Sequence, residues 1–160
     1  MGLEVTVALG EPEFYSVDVR FILYLLNQVH FLMERAIEIL AVIQLTIIGL
    51  SHIVFHREWA EFFIWLRSKG NAGVFANGFL SLTAGSLIFS FHRVWSGIPL
   101  VLTVFALLNL LKAANCFLLP ELAMRSMQRV SVERSREFVV AGVLSLAIAA
   151  VVAFGLVRGS

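Results

Sequence analysis

The stretch "FVVAGVLSLAIAAVVAFGLV", residues 138–157, runs for twenty positions without a charge. A bilayer's hydrocarbon core is about 30 Å thick, and a helix rising about 1.5 Å per residue needs about 20 residues to cross it. The stretch is therefore long and apolar enough to be a transmembrane helix. Working outward from it, three further segments meet the same test. They are "AIEILAVIQLTIIGLSHIVF" at 36–55, "AGVFANGFLSLTAGSLIFSF" at 72–91 and "IPLVLTVFALLNLLKAANCFLL" at 98–119. In lipid a backbone must satisfy its own hydrogen bonds, so each is expected to be α-helical.

Composition agrees. The chain of 160 residues is 59% hydrophobic and 14% charged, with a mean hydropathy of +0.90. Soluble domains carry roughly 25% charged residues, so there is too little charge here to solvate a globule of this size. The length fits one membrane domain covering 1–160. A net charge of +1 without a basic face gives no case for nucleic acid as a partner. The single cysteine, Cys116, excludes an internal disulfide and a Cys-based zinc site.

The flanks add two helices of another kind. Ile22, Leu25, Leu26, Val29, Leu32 and Met33 recur at three- and four-residue intervals, with Tyr24, Asn27, Gln28 and Glu34 between them. This predicts an amphipathic helix over 17–35, either lying in the membrane interface or running straight into the first span. "REWAEFFIWLRSKG", from Arg57 to Gly70, predicts a short interfacial helix with Trp59, Phe62, Phe63 and Leu66 on one face. Residues 1–16 read as a flexible amino terminus. They lack the basic region of a signal peptide. Gly2 and Thr6 fit the loose myristoylation pattern, which is short enough to arise by chance.

Lysine and arginine set the expected orientation. Arg57, Arg67, Lys69, Arg125, Arg129, Arg134 and Arg136 fall on one face, and Arg20, Arg35, Arg93 and Arg158 on the other. This balance favours both termini outside the cytoplasm. Phe-His-Arg-x-Trp occurs twice, at 55–59 and 91–95. Consecutive spans run in opposite directions, so the two copies lie about a bilayer apart and cannot share one metal. The expected role of His56, Arg57, Trp59 and of His92, Arg93, Trp95 is to anchor helix ends at the interface.

Depth comparison across antiparallel spans brings Lys112, Asn109, Asn115, His52 and Asn77 to one level. They are candidates for an intramembrane polar layer that binds a lipid, an anion or a transported solute, because an ionisable residue inside a membrane is costly. Snorkelling of Lys112 is the plainer alternative. His52 and His56 share a helix face, yet a metal site needs a third ligand. Haem through His30 and His92 would require both to reach one iron. No catalytic constellation, cofactor or metal is expected from these patterns. Small residues repeat as Gly78, Ser81 and Gly85 on the second span, and as Ala141, Ser145, Ala149 and Ala153 on the fourth. Such stripes let helices approach closely in lipid, within one chain or between copies.

His92, Trp95, Gly97, Lys112 and Pro120 give the third-span region a further character. In them the chain resembles a loose class of small four-span bacterial membrane proteins. That class has a His-x-x-Trp-x-Gly turn before the third span, then an apolar run with a Gly-Trp pair, a Lys-Gly and a closing Pro; Ala106-Leu107 stand here where the Gly-Trp would be, and Ala113 where the second Gly would be. The resemblance implies four spans in a bacterial cytoplasmic membrane and no particular reaction. The expectation is an all-α, four-helix transmembrane bundle with an amino-terminal amphipathic helix. Its expected function is non-catalytic: an accessory or scaffolding subunit whose partners are the lipid bilayer and another membrane protein or itself.

Overall fold

The computed structural model describes residues 4–6 and 16–158. Six helices follow one another: α1 Val19–Val54, α2 His56–Ser68, α3 Asn71–Phe91, α4 Leu100–Leu118, α5 Pro120–Gln128 and α6 Arg136–Arg158. Before them β1 Glu4–Thr6 pairs antiparallel with β2 Ser16–Asp18, in the register Glu4↔Asp18, Val5↔Val17, Thr6↔Ser16. The segment expected to be flexible, 1–16, thus contributes a short strand ladder, and the rest of it lies outside the described residues.

Helices α1, α3, α4 and α6 are each long and apolar enough to cross a membrane. The chain is an all-α bundle with four candidate spans, as the hydrophobic runs predict. Of the two arrangements open to the amphipathic segment 17–35, the structure takes the second: it continues without a break into the first span as the 36-residue α1. The interfacial helix after that span is α2. A second short helix, α5, begins at Pro120, directly after the third apolar run. Proline's missing N–H costs nothing in a helix's first turn, and Ala123 and Met127, one turn apart, bury the inner face of α5.

Small residues line the helix seams, and large ones cover much of the outer face. Ala41, Gly49, Ala106, Ala113, Gly142 and Ala149 are buried, whereas Ile43, Ile47, Leu80, Leu108, Leu144 and Val157 face outward. Lipid tails are as apolar as leucine, so nothing draws large side chains inward, and close backbone approach becomes the main packing gain.

The bundle is two antiparallel helix pairs, α1 with α6 and α3 with α4. In the first pair Gly49 meets Gly142 so closely that a Cβ on Gly142 would stand 2.6 Å from the Gly49 carbonyl oxygen. In the second, Gly78 faces Cys116 and Phe117, and Gly85 faces Ala106 and Leu110. Gly78, Ser81 and Gly85 are therefore all buried packing residues, used within the chain. The fourth-span stripe needs correction. Ala149 is buried, Ala141 is exposed, and Ser145 and Ala153 are half-buried. The line against α1 runs through Gly142, Ala149, Val152 and Gly155. A strict four-residue spacing drifts about 40° around an α-helix at each step, so Ala141 and Ala153 cannot share one narrow seam.

One apolar cluster joins the pairs, and a second ties α2 and α5 to the α3–α4 pair. At one end Ile37 and Ala41 pack with Ile88, Leu102, Ala106 and Val152. At the other Leu66, Val74, Cys116, Ala123 and Met127 pack beneath α2 and α5. There Arg67 donates hydrogen bonds to the Met127, Gln128 and Val130 carbonyl oxygens at 3.4, 3.2 and 3.2 Å. These carbonyls lie at and just beyond the end of α5, where helix carbonyls run out of intrahelical donors.

Candidate functional site

α3 ends at Phe91, and its cap residue His92 takes an extended backbone that turns the imidazole inward. Gly97, with φ 68°, and Pro99 then swing the chain back into α4. This return places Thr103 in the second turn of α4 beside the ring. From α1, Glu38 faces the same point. The His92 Nε2 atom lies 3.0 Å from Glu38 Oε1, and the Thr103 hydroxyl oxygen lies 3.4 Å from His92 Nδ1. Thr103 donates its own proton to the Val94 carbonyl at 2.8 Å. The His92 and Glu38 side chains are 0% and 8% exposed.

The hydrogen-bond pattern constrains the protons. Because the Thr103 hydroxyl is committed to Val94, its oxygen is free to accept from Nδ1–H. One proton then remains between Nε2 and the Glu38 carboxyl, and the pair is neutral overall wherever that proton rests. A buried carboxylate without such a partner would be strongly unfavourable. The arrangement clasps α1 to the α3–α4 return. It does not activate a nucleophile, since that chemistry needs the hydroxyl proton aimed at the imidazole.

His92 is thus not an interfacial anchor. The other residues of the second motif are exposed: Trp95 at 61%, and Arg93 with its guanidinium 6.0 Å from the Phe89 ring centroid. The first motif braces a corner between α1, α2 and α6. Trp59 Nε1 donates to Ser51 Oγ at 2.9 Å, His56 Nδ1 bonds Ser135 Oγ at 3.0 Å, and Arg57 is exposed. The two copies do different work because different helices pack beside them.

The five polar-layer residues are not all brought together; only Lys112 and Asn115 line one groove, on the outer face of α4. His52 stacks on Trp59 with ring centroids 4.2 Å apart and places Nδ1 2.8 Å from the Ile48 carbonyl oxygen of its own helix. Asn109 donates back to Phe105 at 2.9 Å. Asn77 is buried on α3, while Lys112 is exposed and Asn115 half-buried on α4. No hydrogen bond links any two of the five among the described residues. A shared depth does not fix rotation about each helix axis, and rotation separates His52, Asn77 and Asn109 from the Lys112 groove.

The histidine pairs also separate. His30 pairs with Glu34 at 3.5 Å on an exposed part of α1, about 12 Å along the helix from Glu38 by rise. Both ring nitrogens of His92 are engaged. His52 and His56 turn to different partners, and among the described residues no group of three or more His, Cys, Asp or Glu could hold a metal ion. Glu38 and Thr103 carried a legible signal: a carboxylate inside the first span, at the same membrane face as the end of the second.

Compared with protein-family models, with curated proteins and with solved structures, the chain found no match.

Proposed function

We propose that this protein is a small non-catalytic subunit of a bacterial cytoplasmic membrane, with both termini outside the cytoplasm, that scaffolds or accompanies another membrane protein or further copies of itself. The observation that carries this reading is the amino-terminal half of α1. Its 36 residues correspond to about 54 Å of helix against about 30 Å of hydrocarbon. The bundle uses the carboxyl-terminal part: Arg35 reaches the Leu156 carbonyl at 2.7 Å near the end of α6. Ahead of that level Phe21, Leu23, Leu26, Val29, Phe31 and Leu32 are all exposed. Apolar surface of this extent marks an interaction site.

The test is photo-crosslinking in native membranes from positions Leu26 and Leu32, with Leu144 on the lipid-facing side of α6 as control. A discrete protein adduct from the α1 positions and none from Leu144 is the expected result. Lipid adducts alone at all three positions would overturn the reading.

A further inference from the structure

We infer that the outer face of α4 and the start of α5 form a binding groove for an anionic phospholipid, with Lys112 as the headgroup contact. The groove has a volume of about 600 Å³ and is lined by Leu108, Leu111, Lys112, Asn115, Leu118 and Leu122, among others. A second hollow of about 390 Å³ shares Leu118, Leu119 and Leu122 with it and is also lined by Glu121 and Arg125. The leucines are outward-facing; Leu118 is 77% exposed.

Charge decides the occupant. Lys112 lies inside a span, is exposed, and makes no hydrogen bond or ion pair with any described residue. A lone ammonium in hydrocarbon costs on the order of 3 kcal/mol. Lys112 is six residues before the last residue of α4, Leu118, about 9 Å by rise. A lysine stem covers much of that distance, so its ammonium meets the level where lipid phosphates sit. An anionic phospholipid answers both halves of the groove: an acyl chain along Leu108 and Leu111, and a phosphate between Lys112 and Arg125. A zwitterionic lipid offers the same chain without net negative charge. Glu121 at the polar end opposes the anion, which leaves Lys112 as the main attractive contact rather than one of a broad basic patch.

Native mass spectrometry of the protein released from nanodiscs of equal phosphatidylglycerol and phosphatidylcholine tests this. One cation near the surface contributes about 1 kcal/mol, equivalent to about fivefold. The wild type is expected to retain phosphatidylglycerol about fivefold over phosphatidylcholine. Lys112→Gln should bring the ratio close to one, Lys112→Arg should keep it, and Lys69→Gln, on the end of α2, should leave it unchanged. Leu118→Trp, which fills the groove and keeps the charge, should lower total retained lipid. All three positions are exposed, so folding is preserved. An unselective wild type, or a Lys112→Gln variant with undiminished selectivity, would overturn the inference.

Discussion

His92 holds two helix pairs together through one ring, and removing that ring measures the tie. His92→Ala leaves Glu38 buried without its partner and should cost about 3–5 kcal/mol, read as a lowered unfolding midpoint in detergent. Glu38→Gln keeps an oxygen and an amide for Nε2 and should cost closer to 1 kcal/mol. Equal losses from both would mean that burial volume, not the hydrogen bond, sets the stability. Outside the membrane, the Ser131 hydroxyl and the backbone at Glu133 hold the Glu133 carboxyl below the usual carboxylate range. A depressed folded pKa means that the contact is present above the ordinary carboxylate value and lost as pH falls through the lower one. A side-chain NMR titration should show this midpoint, and Ser131→Ala should raise it. At this scale the sequence identified His92 but not its burial. A histidine and a tryptophan closing an apolar run suit an interfacial belt equally well, and the deciding partners, Glu38 and Thr103, lie on other helices.

Between elements, the pairing of α1 with α6 depends on two glycines facing each other. Gly142→Leu would push its side chain into the Gly49 carbonyl and His52, both within 3.0 Å of where its Cβ would stand. Overpacking of this kind costs about 1–3 kcal/mol. Ala141→Leu, one position around the helix, meets lipid and should leave the midpoint unchanged. If the two variants unfold alike, the α1–α6 seam is placed wrongly. Helix existence was legible from hydrophobic length, and α6 extends only two residues before and one after the quoted apolar run. Its seam was not legible, because alanine, glycine and serine occur on several sides of α6 and the partner helix selects among them. The α2 helix was readable from its apolar face, whereas α5, at 9 residues, is too short to be read from hydrophobic length.

For the whole molecule, lipid as the surrounding medium explains why isoleucine and leucine cover much of the outer face while glycine and alanine line the seams between helices. Cysteines introduced at Ser96 and Glu133, both exposed, should react with a membrane-impermeant reagent from opposite sides in sealed vesicles. Reaction of both from one side would remove the four-span topology. Four spans could be read from the chain directly, since hydropathy registers the medium. Which spans pair could not: in lipid all four are apolar around most of their circumference, and little in the pattern distinguishes one neighbour from another.

The pairing of the first span with the fourth has a consequence for how the protein is made. α3 and α4 are consecutive and can close on each other as soon as both have left the ribosome. α1 enters the membrane long before α6 is synthesised, so its Gly49 face waits in contact with lipid. Glu38 is relieved earlier, when the return after α3 delivers His92. The order of emergence therefore gives the imidazole a second duty, holding the leading helix beside the nascent hairpin until its permanent neighbour arrives.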